Sequence, residues 1–384
     1  MRRKSAIFDA LFAENSNMYV YQQPNWPNFE WNSEQLLPLI ALVRNKQGRL
    51  LGKMGALGFE LRNEANLEVL TLDIIKTTEI EGEKLNKEQV RSSLARRLGL
   101  EIPGLIHSER NVDGIVDLMI DATKNFEMQL NNERLFTWHA GLFPTGQSGM
   151  YKIVTGNWRD DSKGPMQVVS GAIGKEKVHY QAPAANQIEN EIRIFLDWFN
   201  LENTTDLVLK AAIAHLWFVT IHPFEDGNGR ISRAITDMLL ARSDEQSYRF
   251  YSMSAQIRKE RNAYYHILEK TQQGSLDITN WLEWFLKALL SAIENSEILL
   301  EKIIYKHTFW VKHAKAIIND RQRNMINLLL EDFEGVLTTT KWAKITKCSQ
   351  DTALRDIQNL IEQEMIIKKE QGGRSTQYEL KVIG

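Results

Sequence analysis

Several things are scarce in this sequence, and each scarcity excludes something. One cysteine, Cys348, among 384 residues rules out an internal disulfide and any zinc site built from several thiolates, and it suits a reducing compartment. The formal net charge is −2 and the pI near 6.5, so the chain lacks the positive field of a protein that coats nucleic acid, and only a local basic patch would serve that role. No stretch approaches the roughly 20 apolar residues of a membrane span. The basic start, MRRKSAIFDALFAENSN, holds an apolar run too short and too interrupted for a signal peptide. A cytoplasmic protein without membrane contact is expected. Proline (8) and glycine (22) are sparse for the length, and no internal repeat or low-complexity tract is present.

What remains is ordinary soluble composition, 43% hydrophobic and 25% charged, arranged with apolar residues three and four apart, as in LLPLIALVRNKQGRLLGKMGALGF. The fold class expected is mainly α. EIPGL breaks a first helical block, giving an N-terminal helical domain over 1–103. A central domain follows over 104–300, with glycine- and β-branched-rich loops and a short hairpin before the run AAN. A connecting helix over 301–319 leads to a small unit over 320–384. There TTTKWAKITKCSQDTALRDIQNLIEQEMI predicts helix, turn and helix, with Ala353, Ile357, Leu360 and Ile361 as the buried face of the second. IIKKEQGGRSTQYEL predicts two strands around a Gly-Gly turn. This is the winged-helix pattern, which can bind DNA through its second helix and also serves for dimerisation or docking.

The densest chemistry lies in IHPFEDGNGRISR, residues 221–233. TDLVLKAAIAHLWFVTI predicts a buried helix ending before Pro223, and ISRAITDMLLA predicts the next helix. DGNGR therefore sits at a helix N-terminus, where unpaired amides and the helix dipole attract anions. Gly227 and Gly229 admit positive φ and close approach to phosphate oxygens, and Asn228 adds a side-chain donor. Arg230 and Arg233 share one helix face and reach a polyphosphate as forks. His222, neutral, is suited to take a proton from an attacking hydroxyl. Asp226 is suited to a magnesium ion that also binds phosphate. Phe224 reads as a core anchor, Glu225 as solvent-facing. Spacing alone gives phosphate, metal and base.

From His222 to Arg233 the string resembles the Fic motif HxFx(D/E)GNGRxxR at every specified position. The resemblance implies a helical core with a short β-hairpin flap and transfer of AMP from ATP to a Tyr, Thr or Ser hydroxyl of a protein, the chain itself included. His222 would be the base and Asp226 would hold Mg²⁺ or Mn²⁺ bridging the α- and β-phosphates. Gly227, Asn228, Gly229 and Arg230 would cradle those phosphates, and Arg233 would grip the γ-phosphate. The intact Gly-Asn-Gly distinguishes the string from the phosphorylating Doc branch; a phosphotransferase is the weaker alternative. GKEKVHYQAP is the expected flap, whose edge would take a target segment by strand pairing. In RKERNAYYHILEKTQQG, Tyr264 is the expected contact to base and ribose.

Thr77-x-x-x-Glu81-Gly82 resembles the (S/T)xxxE(G/N) inhibitory motif of Fic proteins. WPNFEW and EIEGEKLNKEQVRSSLARRLGL are similar to the N-terminal domain of the subgroup that carries it. The resemblance implies that Glu81 pairs with Arg233, removes it from the γ-phosphate and misdirects the α-phosphorus. In some relatives the same glutamate helps remove AMP, so transfer in both directions is an expectation. The other functional reading is a DNA-binding transcription regulator whose Fic core senses nucleotide. A homodimer is an open expectation.

Overall fold

A computed structural model of the chain describes residues 18–162, 164–171, 175, 177–330, 333, 335–369 and 376–382. The described fold is mainly helical, with three small antiparallel hairpins. It divides into two compact units, one ending at Ser296 and the other beginning at Glu297. Among the described residues no helix is long and apolar enough to cross a membrane.

In the first unit, α1 (Ser33–Gly55) starts where the Asn32 side chain accepts from the Gln35 amide, which satisfies one of the free amides of a first turn. A short turn leads to α2 (Phe59–Ile80), which stops at Glu81 and Gly82, the latter at φ 86°. Asn86 caps α3 (Lys87–Leu98) through two amides, and Gly99 ends it in the left-handed region. Two further helices, α4 (Arg110–Lys124) and α5 (Asn132–Leu142), precede the hairpins. The glycine-rich stretch forms two of them: β1 (Gln147–Ser148) with β2 (Tyr151–Lys152), and β3 (Gln167–Ser170) with β4 (Lys177–Gln181).

Beyond α6 (Ile188–Leu201), Asp206 caps α7 (Leu207–Ile221), in which every residue from Val208 to Ile221 is buried. A helix apolar nearly all round belongs in a core centre, and α7 takes that place beside α8 (Asn228–Asp244), itself largely buried. The loop between them is the stretch of densest chemistry. The helices α9 (Met253–Lys259) and α10 (Arg261–Gln272) follow. The connecting helix expected over 301–319 is the last part of a longer one, α11 (Thr279–Lys312), which runs into the second unit.

That unit holds α12 (Asp320–Leu330), α13 (Thr339–Thr346), α14 (Gln350–Glu362) and the hairpin β5 (Ile366–Lys368) with β6 (Tyr378–Leu380). Trp342, Ala353, Ile357, Leu360, Met365 and Ile366 form its core. One expectation is corrected: Ile361 is 36% exposed, because it follows Leu360 directly and the next position on a helix turns about 100° away from the buried stripe. The Gly-Gly turn expected between the strands lies outside the described residues.

Candidate functional site

The helix α7 ends at His222, which takes the left-handed conformation at φ 52° while its amide still bonds the Phe218 carbonyl at 3.0 Å. Pro223 follows, so the helix cannot continue through it. The chain is held in this turn by Arg159, 3% exposed. Its amide donates to the Pro223 carbonyl at 3.0 Å, its Nε to the His222 carbonyl at 2.8 Å and its Nη2 to the Pro183 carbonyl at 2.5 Å. Phe224 is fully buried and stacks on the His139 ring at 4.1 Å with 6° between planes. Gly227 caps α8 at φ 82°, and a Cβ there would stand 2.9 Å from Phe143 Cε2. Only glycine fits that conformation in that space.

Asn228 and Glu225 point otherwise than the sequence suggests. Asn228 does not offer its amide outward. Its Oδ1 accepts from the Phe224 amide at 3.0 Å and its Nδ2 donates to the Phe224 carbonyl at 2.8 Å, which staples the loop to the first turn of α8. Glu225 does not face solvent freely, since its Oε2 accepts from the Val154 amide at 2.9 Å.

His222, Asp226, Asn228, Gly229 and Arg233 line one cavity of about 680 Å³, together with Glu81, Tyr264, Tyr265 and residues of β3 and β4. The His222 Nδ1–H donates to the Val219 carbonyl at 3.2 Å, which fixes the tautomer and leaves Nε2 with a free lone pair. Burial, ahead of that hydrogen bond and of the nearby charges, pulls the imidazole from 6.5 down to about 4, so it is neutral at physiological pH. Asp226 bonds its own loop: Oδ1 accepts from the Gly227 amide at 2.6 Å and Oδ2 from the Ser148 hydroxyl on β1. His139 completes the support. It accepts from the Gly156 amide at Nδ1, 3.1 Å, so its Nε2–H donates to the Asp226 carbonyl at 3.2 Å.

Arg233, one turn into α8, is 2% exposed. Its Nε donates to the Thr77 hydroxyl at 2.5 Å, and its Nη2 to the Thr77 carbonyl at 3.0 Å and to Glu81 Oε1 at 2.6 Å. Its Nη1 is buried and has no hydrogen-bond partner. Arg230 and Gly227 do not line the cavity. The Arg230 guanidinium lies 5.0 Å over the Phe143 ring and meets Glu83 at 3.1 Å. Tyr264 lines the cavity while its hydroxyl bonds His215 Nε2 at 2.9 Å.

Residues 129–240 match the family described as Fic/DOC. That stretch includes His222, Asp226 and Arg233. Ahead of it, residues 19–100 match a domain of unknown function, DUF4172, and this stretch includes Thr77, Glu81 and Gly82. The chain is similar to the protein adenylyltransferase fic-1 of Caenorhabditis briggsae, 31% identical over 179 residues, which is 46% of this chain and 32% of that protein. It is 29% identical over 103 residues to a probable protein adenylyltransferase of Aquifex aeolicus, 27% of this chain and 30% of that one. The chain thus spans about a third of the length of these curated relatives. A crystal structure of a Fic family protein from Desulfovibrio desulfuricans aligns over 91% of this chain and 96% of its own, with a TM-score of 0.49 and 22% identity.

The β3–β4 hairpin is anchored more firmly than its sequence announces. Tyr180 of β4 is buried and donates to the Thr220 carbonyl at 2.6 Å. Its neighbour His179 bonds Glu269 of α10 at 3.0 Å through Nδ1 and Ser170 of β3 at 2.6 Å through Nε2. Arg159, His139, Ser148 and Glu269 carry no motif, so no sequence signal marks them. Among the described residues no group of three or more His, Cys, Asp or Glu side chains gathers to hold a metal unaided.

Proposed function

We propose that this chain transfers AMP from magnesium–ATP to a hydroxyl of a protein, and that Glu81 restrains the reaction. The observation that carries the reading is a neutral His222 with an unengaged Nε2 in the same cavity as Asp226 and the N-terminus of α8. Those groups answer the three needs of the reaction: a base for the hydroxyl, a carboxylate for a nucleotide-borne ion, and amides for phosphate oxygens. The names of the curated relatives, all adenylyltransferases, favour attack at the α-phosphorus over the γ-phosphorus.

In this reading the target hydroxyl gives its proton to His222 Nε2 as its oxygen bonds the α-phosphorus, and the bond to pyrophosphate breaks. Asp226 fits the metal because magnesium on a nucleotide needs only one or two carboxylates beside phosphate oxygens; when bound, the ion neutralises phosphate charge. The unpartnered Nη1 of Arg233 fits a phosphate oxygen, since a buried donor left unpaired costs about 1–3 kcal/mol. Glu81 on Nη2 of the same guanidinium places a negative charge where a γ-phosphate would come. The two-stranded flap, whose Met166–Ser170 side lines the cavity, leaves an edge to which an extended target segment can add.

The exposed face of α14 holds Arg355 beside Asp351 and Glu362, with Leu354 and Ile361 between them. That surface lends the DNA-reader alternative no electrostatic support.

The test is labelling by ATP carrying radioactive α-phosphate, with intact-mass analysis to separate AMP from phosphate addition. Glu81→Gly should raise labelling and His222→Ala should abolish it in the Glu81→Gly background. A Glu81→Gly protein that labels neither itself nor any lysate protein ends the reading.

A further inference from the structure

The helices α2 and α8 meet in three rungs, four residues apart on each helix. Glu81 lies over Gly229, where a Cβ would stand 2.3 Å from its Oε1, Thr77 holds Arg233, and Asp73 lies against Asp237. One number falls as the other rises, so the helices run antiparallel. The first two rungs belong to the restraint proposed above. The third lies eight residues deeper on each helix, about 12 Å by the helical rise, and contributes nothing to the cavity lining.

The hydrogen bonds at this rung do not balance if every acid is ionised. Asp73 accepts from the Ser252 hydroxyl, from the Ser254 amide at 3.2 Å and from the Ser254 hydroxyl at 3.1 Å. Asp244 accepts from Arg249 Nη1 at 2.9 Å, from the Tyr251 hydroxyl at 2.8 Å and from Gln47. Asp237 accepts from Arg249 Nη2 at 3.0 Å on one oxygen only, and its Oδ2 is buried without a donor. Two carboxyl groups thus share one guanidinium, a third, Asp73, has only neutral donors, and none of the four residues is more than 8% exposed.

An excess of buried negative charge is costly unless a proton neutralises it. The place for that proton is Asp237 Oδ2, from which it reaches Asp73, a carboxylate already supplied with donors. Burial first, and the Asp73 charge second, raise the Asp237 carboxyl well above its ordinary range. The charged groups around it are Asp73 from α2 and Arg249 from the segment after α8. Behind Arg249 stands Asp244, with Arg44 of α1 beyond it.

We propose that Asp237, protonated and hydrogen-bonded to Asp73, is a positioning residue that keeps α2 in register on α8 and Glu81 on Arg233. Loss of its proton sets two buried carboxylates against each other, loosens that rung and withdraws Glu81. The sign follows: an acid whose proton is held more tightly in the folded state stabilises the packing at low pH, and that contribution is lost as pH rises. The restraint therefore relaxes toward alkaline pH. This inference rests on the proposed role of Glu81.

The experiment is the ratio of self-labelling rates, the wild-type sequence over Glu81→Gly, from about pH 6 to about pH 9, where buried carboxylic acids are known to titrate. The unrestrained variant cancels the pH dependence of the chemistry. The ratio should rise with pH by up to about tenfold per unit, the limit for one proton. It should stay flat in Asp237→Asn, whose amide donates to Asp73 at any pH, and in Asp73→Asn, which removes the opposing charge should the first variant fold poorly. Hydrogen-exchange protection of α2 amides, corrected for intrinsic rate, should fall with pH in the wild-type sequence and not in either variant. A flat wild-type ratio, or an equal rise in the asparagine variants, overturns the proposal. If Glu81→Gly labels nothing, the transferase reading fails, and the protection factors alone decide whether the rung is a proton-held clamp.

Discussion

Arg233 Nη2 and Glu81 Oε1 stand 2.6 Å apart across 152 residues of sequence. The arginine side chain is 2% exposed and the glutamate 27%, so the pair sits at the cavity wall with its cation inside and its anion toward the opening. Thr77, one turn before Glu81, holds the same guanidinium through both its hydroxyl and its carbonyl.

Thr77→Ala should therefore weaken the restraint without removing it. The buried Nε of Arg233 loses its partner, a loss of about 1–3 kcal/mol, while the Glu81 contact remains. Self-labelling rates should fall between those of the wild-type sequence and Glu81→Gly.

Tyr264→Phe should lower stability and leave ATP binding nearly unchanged. The chain of donors runs from the Tyr264 hydroxyl to His215 Nε2, and from His215 Nδ1 to the Thr236 hydroxyl at 2.9 Å, itself bonded to the Ser232 carbonyl. Removing the first donor strands a buried nitrogen, and the unfolding midpoint should drop by the equivalent of about 1–3 kcal/mol. Tyr265, which is 36% exposed and lines the cavity, is the aromatic whose loss should raise the KM for ATP.

Arg159→Ala should lower kcat with little change in KM for ATP. Its guanidinium touches the carbonyls of His222 and Pro183 rather than the cavity, and so acts on the imidazole only through the backbone. Misplacing a base in this way reduces rates by about 10²-fold. Steady-state kinetics in the Glu81→Gly background separate the two parameters.

Acid should destabilise the fold earlier than carboxylate protonation alone would. His139 and His215 are both fully buried. Burial first lowers them from 6.5 to about 4 and about 3 respectively. Below about pH 6.5 the unfolded chain takes up protons that the folded one refuses, so stability falls as pH drops toward those values. The slope is up to about 1.4 kcal/mol per pH unit for each histidine. Urea unfolding at stepped pH should show this, with a shallower slope in His215→Gln.

The site was legible in part because its chemistry is contiguous. A buried apolar helix, a histidine before proline, two glycines and a helix start all lie between Leu207 and Arg233, and local rules of capping and backbone freedom dictate them. The helical character and the second unit's helices followed from apolar spacing for the same reason. Ile361 did not, since one position of helix rotation separates burial from exposure.

By itself, then, the sequence determined the loop, its glycines, its histidine and acid, and the helices on either side. Tertiary structure alone decided where side chains spend their hydrogen bonds. Asn228 turns back on Phe224, Glu225 caps the Val154 amide, and Arg230 leans on Phe143 and Glu83. The physical reason is range: backbone preference acts over a few residues, whereas a buried charge takes whatever partner the fold brings, as Arg233 takes Glu81 and Arg249 takes Asp237 and Asp244.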